Sequence, residues 1–219
     1  MAYLDFITPL HVRTQRNYAE RAGPDKAERS IIAKQFGKDY WDGDRKYGYG
    51  GYSYDGRWRS FAEKLIAHYH LMPGNKILDV GCGKGFLLYD FIQALSGIQV
   101  AGIDVSNYAI ENARAEIKPF LKAGNAIELP YPNHEFDLVV SINTLHNLYN
   151  YQLKKALQEI ERVGKTQKYL VMDSYRNEHE KVNLMYWQLT CECFFTPSEW
   201  KWVFDRSGYR GDYGFIYYE

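Results

Sequence analysis

The 219 residues carry 27 basic and 27 acidic side chains, so the formal net charge is zero, and 46% of the chain is hydrophobic. That length suits one domain, or one domain with an appendage, and the absence of any basic tract disfavours nucleic acid as a partner. No apolar run is long enough to span a bilayer, the N-terminus lacks a signal pattern, and Cys82, Cys191 and Cys193 form neither a disulfide framework nor a zinc set, so a reducing, cytoplasmic setting without membrane or metal is expected.

Residues 1–57 read as an N-terminal extension. Arg13 to Arg21 suggests a short polar helix broken by Gly23-Pro24, after which Ala27, Ile31 and Phe36 outline an apolar side. Residues 38–59 interleave Tyr40, Trp41, Tyr47, Tyr49, Tyr52, Tyr54 and Trp58 with glycines and follow neither a helical nor a strand period. This stretch is expected to be a flexible aromatic lid loop. From Trp58 a helix follows, with Phe61, Ala62 and Leu65 on one face, ended by Pro73-Gly74.

Residues 58–219 then alternate strand and helix. A strand over 76–80 runs into Gly81-x-Gly83-x-Gly85, and a helix opens at Phe86. A strand over 98–104 precedes a helix capped by Ser106, with Ile110, Ala113 and Ile117 inward and Pro119 as its stop. A weak strand near Phe120–Ala123, a strong one over Phe136–Ile142 and a helix carrying Leu153, Leu157, Ile160 and Val163 come next. Gly164 closes that helix and Tyr169–Ser174 is the fifth strand. Residues 177–190 form an inserted helix with Val182, Met185, Tyr186 and Leu189 inward, and Thr196-Pro197-Ser198-Glu199 is a capping-box start. Residues 212–218 complete the sheet as an antiparallel edge strand. The fold class is α/β: a Rossmann-like three-layer αβα sandwich with a mostly parallel sheet.

The glycine turn is a place where backbone can lie against a nucleotide. The dinucleotide fingerprint would put its third glycine at Phe86 rather than Gly85, which counts against NAD or FAD. Asp79 is a carboxylate at the end of an apolar strand and needs a partner. An ammonium group of a methionine moiety would serve, and capping of nearby backbone amides is the alternative. Asp104 falls about 20 residues past the turn, where an acid holds ribose hydroxyls in this architecture.

The stretches KILDVGCGKG, VAGIDVSNYAIENAR and GNAIELPYPNHEFDLVVSINTLHNL together resemble the class I S-adenosylmethionine-dependent methyltransferases, in particular the ubiquinone/menaquinone methyltransferase-like (type 11) group, over residues 76–148. The resemblance implies S-adenosylmethionine as cofactor and S-adenosylhomocysteine as product. It places Asp79, Gly81, Cys82 and Gly83 by the methionine end, Asp104 on the ribose, Val105, Asn125 and Ala126 around the adenine, and Asn143 by the methyl group. His146 is the candidate base or positioning residue, since it follows the strand whose end faces the crevice.

Tyr47, Tyr49, Tyr52, Tyr54, Arg57 and Tyr186 are the candidate acceptor contacts. Arg57, with Arg59, suggests an anionic acceptor such as a sugar nucleotide, keto acid or natural-product intermediate. A small-molecule methyltransferase is therefore expected, against two rivals: an RNA or protein methyltransferase, and a non-catalytic cofactor-binding module. Helix 177–190 completes the pocket or serves as a homodimer face.

Overall fold

A computed structural model describes all 219 residues. The chain enters through three short helices, α1 (Thr8–His11), α2 (Tyr18–Arg21) and α3 (Lys26–Ala33), then α4 (Lys38–Asp42), a 3₁₀ turn Arg45–Tyr47, and α5 (Arg59–His68). The alternating part comprises β1 (Lys76–Val80), α6 (Phe86–Ala94), β2 (Gln99–Asp104), α7 (Asn107–Glu111), β3 (Leu121–Ala123), β4 (Phe136–Ile142), α8 (Asn150–Val163) and β5 (Gly164–Asp173). It closes with α9 (Glu178–Trp187), α10 (Pro197–Ser207) and β6 (Asp212–Ile216).

The strands form one sheet in the order β3-β2-β1-β4-β5-β6. Alternate residues feed two cores. Ile77, Leu138, Val140, Tyr169 and Val171 meet α5 and α6 residues such as Phe61, Leu65 and Phe91 on one face. Leu78, Val80, Val139, Leu170 and Met172 meet Leu153, Leu157, Trp200 and Phe204 of α8 and α10 on the other. Burial on both faces is why these strands read as continuous apolar runs.

The last strand corrects the expectation. β6 runs parallel to β5, from Tyr169 opposite Asp212 to Asp173 opposite Ile216. Residues 174–211 carry two helices, so the chain has room to cross back to the starting end of the sheet, the connection a parallel neighbour requires. Beyond β6, the edge is covered by the N-terminus: Leu4 N–H donates to Tyr213 O at 2.8 Å and Tyr213 N–H to Ala2 O at 3.0 Å.

Other departures share a cause. Ile31 is 65% exposed, so the apolar side expected of α3 faces away from the protein. The helix docks instead through a polar stripe: Lys26 Nζ donates to Tyr186 O and Gln188 O, Ser30 Oγ to Leu189 O, and Lys34 pairs with Glu192. α9 behaves likewise. Its inward residues are Glu180, Asn183 and Leu184, while Val182, Met185 and Tyr186 are exposed. Glu180 accepts from Arg176 and Asn183 Nδ2 donates to Tyr218 O at 3.0 Å. Helices that dock through hydrogen bonds hide their facing from hydrophobic periodicity. α7 stops at Glu111, short of the expected Pro119, and β5 begins directly at Gly164.

Candidate cofactor and acceptor site

The site is built on the turn after β1. Gly81 and Gly83 have φ of 83° and 54°, in the left-handed region that favours glycine. Close approach excludes a side chain as well: a Cβ on Gly81 would lie 2.1 Å from Thr144 Oγ1, and one on Gly83 would lie 2.7 Å from the Trp41 ring. The backbone of the turn thus packs directly beneath an indole from the N-terminal segment.

Two carboxylates end β1 and β2, and their surroundings differ. Asp104 Oδ2 accepts from Gly83 N–H at 2.7 Å and its Oδ1 from Ser106 N–H at 2.8 Å. Asp79 is 3% exposed, and its Oδ1 is buried without any hydrogen-bond partner. Burial, with the charge of Asp104 added, pushes the Asp79 carboxyl up to about 8. The amide-capping alternative weighed for Asp79 therefore describes Asp104. Each Asp104 oxygen still has acceptor capacity for a hydroxyl. Nearby, Asn143 adopts φ of 58°, and the Oδ1 atoms of Asn143 and Asn147 are also buried and unpartnered.

These groups open onto one cavity of about 320 Å³. It runs along the C-terminal ends of the strands, from Gly124, Asn125 and Ala126 beyond β3 to Ile216 of β6. Six strands are five spacings apart, roughly 24 Å end to end at about 4.8 Å each. All nine residues expected around the cofactor, Asp79, Gly81, Cys82, Gly83, Asp104, Val105, Asn125, Ala126 and Asn143, line it. Cys82 is no nucleophile here, because burial holds its thiol well above the ordinary range.

The aromatic stretch is ordered rather than loose. Trp41 is buried in α4, donates through Nε1 to Ser106 Oγ at 2.9 Å, and stacks on Tyr49 with centroids 5.2 Å apart and planes 3° from parallel. Tyr52 continues the stack onto Phe86 at 4.9 Å. Lys84, inside the glycine turn, fixes this lid from below: its Nζ lies 2.7 Å from both Asp42 oxygens and 2.8 Å from Tyr52 O.

Of the expected acceptor contacts, Tyr49, Tyr52 and Arg57 line the cavity, and Tyr47, Tyr54 and Tyr186 do not. Tyr54 turns away to donate to Asp90 at 2.7 Å, Tyr47 lies under Lys46, and Tyr186 is exposed on α9. Arg57 is already neutralised by two-pronged contact with Asp55, and Arg59 by Glu63. Neither is free to read an anion.

His146 is a further correction. It is 1% exposed and absent from the cavity wall. Its Nδ1 accepts from Asp173 N–H at 3.2 Å, which leaves the proton on Nε2, 3.4 Å from Asp173 Oδ2. Burial lowers its pKa, and the Asp173 charge opposes that. Its carbonyl accepts from Glu192 and Cys193 N–H, so the residue ties the loop after β4 to the segment after α9. Tyr40 of the expected lid stretch lines the cavity, and sequence reading missed His11, Thr14 and Arg16, which do so as well. His11 reaches it through a hydrogen bond to Tyr217 O, 206 positions away, and no local pattern signals such a contact.

A family model described as a methyltransferase domain matches residues 71–208, more than half of the chain. The chain belongs to the class I S-adenosylmethionine-dependent methyltransferases. A demethylmenaquinone methyltransferase of Symbiobacterium thermophilum is 35% identical over 118 residues, covering 50% of this chain and 46% of that protein. The 27-O-demethylrifamycin SV methyltransferase of Amycolatopsis mediterranei is 30% identical over 93 residues, 39% of this chain and 34% of its own length. The chain thus spans half or less of the length of these curated relatives. The solved YcgJ protein of Bacillus subtilis shares the fold, with TM-score 0.55 and 20% identity over 67% of each chain.

The chamber suits a cationic cofactor. S-adenosylmethionine carries an ammonium and a sulfonium. The unpartnered oxygens of Asp79, Asn143 and Asn147 are acceptors awaiting a donor or a positive charge. The faces of Trp41, Tyr49 and Tyr52 attract cations as well. Val105 and Ala126 offer apolar surface for a base, and Gly83 and Asn125 bring polar groups close to it.

Proposed function

We propose that this protein transfers a methyl group from S-adenosylmethionine to a small organic acceptor, releasing S-adenosylhomocysteine. The observation that carries this reading is the division of one roofed cavity. Its β1–β3 end holds the glycine turn, Asp79, Asp104 and Asn125, and its β6 end is walled by Ile7, Leu10, His11 and Ile216. The cofactor supplies an electrophilic methyl on a good leaving group. What remains for the protein is alignment and exclusion of water. Asp79 holds the ammonium, Asp104 the ribose, and the turn backbone fixes the depth of the cofactor. Trp41, Tyr49 and Tyr52 exclude water from the methyl end.

A roof assembled from residues 36–58 leaves space for a small molecule rather than a strand of nucleic acid or a folded protein. That favours the small-molecule reading over the macromolecular one. The test is equilibrium binding of S-adenosylhomocysteine to the wild type, Asp79→Asn and Asp104→Ala, followed by a screen for transfer of a labelled methyl group to small hydroxyl, amine and carbon acids. A folded wild type that fails to bind the cofactor, or that labels RNA or protein in preference to small acceptors, overturns the reading.

A further inference from the structure

Three arginines gather around one indole outside the main cavity. The guanidinium carbons of Arg16, Arg21 and Arg45 lie 5.3, 5.2 and 5.3 Å from the ring centre of Trp187 in α9. Arg29, Arg57, Arg59, Arg114, Arg162 and Arg176 each pair with a carboxylate, and Arg13, Arg206 and Arg210 stand without one. The three around Trp187 also lack one. Their hydrogen bonds go to neutral acceptors: Arg16 to His11 O, Thr14 O and His11 Nδ1, Arg21 to Trp187 O and Arg45 O, and Arg45 to Gly48 O and Tyr49 O. Carbonyls carry no counter-charge, and the buried Asp173 carboxylate, which feels the charge of Arg16, is bonded to Tyr218 and Gln188 instead. Arg16 Nε is buried without a partner, and Arg21 Nη2 and Arg45 Nη2 have no protein acceptor.

The cluster bears its own repulsion. Burial and the charge of Arg45 lower Arg21 to about 10, and burial lowers Arg45 as well. Two acids, Glu20 and Asp44, line a second cavity beside Trp187 together with Arg21, Arg29, Arg45 and Lys46. Neither pairs with the three arginines: Glu20 accepts from the Asn17 amide and keeps its charge, and Asp44 lies against the backbone and Nζ of Lys46. Like charges gathered without a carboxylate paired to them cost stability unless an anion completes them. Planar guanidinium forks match phosphate oxygens in pairs.

We propose that Arg16, Arg21 and Arg45 around Trp187 bind a phosphate group carried by the methyl acceptor, whose organic body extends past Arg16 into the chamber. Arg16 links the two spaces, since it lines the main cavity and stacks on both Trp187 and Tyr218 at 5.3 Å. Beyond it lie Leu10, Ile7 and Ile216, an apolar seat between the phosphate site and the methyl end. The assignment deepens the methyl-transfer reading and rests on it for the word acceptor, but anion binding itself is measured without cofactor.

The experiment titrates cofactor-free protein with inorganic phosphate and with hexyl phosphate at fixed ionic strength, following Trp fluorescence and heat. Both ligands are expected to bind, with hexyl phosphate at least about fivefold tighter through its apolar tail. Arg21→Gln and Arg45→Gln each weaken binding roughly tenfold or more. Arg45→Lys, which keeps the charge and loses the fork, falls between. Arg13→Gln, exposed in the same segment, leaves binding unchanged. Melting temperature and S-adenosylhomocysteine affinity, measured alongside, report that each variant is folded. No phosphate binding by the folded wild type, or folded Gln variants that bind as tightly as wild type, overturns the site. Equal affinity for the two phosphates overturns its assignment to the acceptor. Intact phosphate binding without cofactor binding sinks the methyl-transfer reading alone.

Discussion

Asp79 makes cofactor affinity a function of pH, and the size of the effect follows from its surroundings. With a carboxyl pKa near 8 in the free protein, Asp79 is mostly protonated at neutral pH. An ammonium placed against it favours the ionised form, so binding must release a proton. At pH 7 the release is about 0.9 proton per site, and between pH 5.5 and 7.0 the dissociation constant falls roughly thirtyfold, about 2 kcal/mol, provided the bound carboxyl titrates below that range. The α-amino group of the ligand has an ordinary pKa of about 7.7–8.0 and stays mostly protonated over this window. The Asp79→Asn variant separates the titration of Asp79 from that of the groups coupled to it. Tyr52 and Cys82 are both held above their ordinary values, and Asp104, also raised by burial, keeps two backbone amides on its carboxylate. Titration calorimetry of S-adenosylhomocysteine in buffers of differing ionisation heat gives both the slope and the proton count. Asp79→Asn should bind more weakly and with no slope. A flat wild-type profile, or a slope that survives in Asp79→Asn, refutes the assignment of the ammonium to Asp79.

Lys84→Met should cost about 2–3 kcal/mol, because it strands the Asp42 carboxylate with only Tyr52 N–H and Tyr108 O–H. The lid then loosens, and proteolysis within residues 43–57 should accelerate; unchanged melting and cleavage count against the latch. Trp41→Ala removes the roof over Gly83 and should weaken S-adenosylhomocysteine at least about tenfold, a loss of roughly 1.4 kcal/mol, with Trp41→Phe retaining most of it. His146→Asn should lower the melting temperature, through about 1–3 kcal/mol of lost buried bonding, yet leave cofactor affinity within about twofold. A large loss of affinity in a variant that melts like wild type would restore His146 to the site.

The cofactor half was legible because it is made of local patterns. β1, β2 and β4 are largely apolar runs, and β1 and β2 carry Asp79 and Asp104 where they reach the crevice. The Thr196 capping box is equally local, and Thr196 and Glu199 exchange the expected bonds. The acceptor half was not legible because it is made by contacts across the chain. His11 meets Tyr217, Arg16 meets Trp187 and Tyr218, and Arg21 meets the carbonyl of Trp187. The aromatic stretch drew notice for its composition, yet its order comes from Asp42 reaching Lys84 in the turn and Trp41 reaching Ser106. Residue type alone gave Arg57 an anion to bind, and Asp55, two positions earlier, already supplies one.

The two ends of the chamber carry opposite charge, which sorts the ligands. At the β1–β2 end Asp104 stands beside Asp79, which gains its negative charge as the ammonium binds, and Lys84 is spent on Asp42. At the β6 end Arg16 faces inward with Arg21 and Arg45 behind it, and no carboxylate pairs with them. A positively charged cofactor is held at the first end and repelled from the second, and a phosphorylated acceptor experiences the reverse. The methyl group, carried between the ammonium and the phosphate, lies where the signs change, over β4 and beneath Tyr49. Asn143 and Asn147 supply neutral dipoles at that junction rather than charges. A full charge there would favour one ligand over the other, and in-line transfer between them needs a setting that is tight and electrically even.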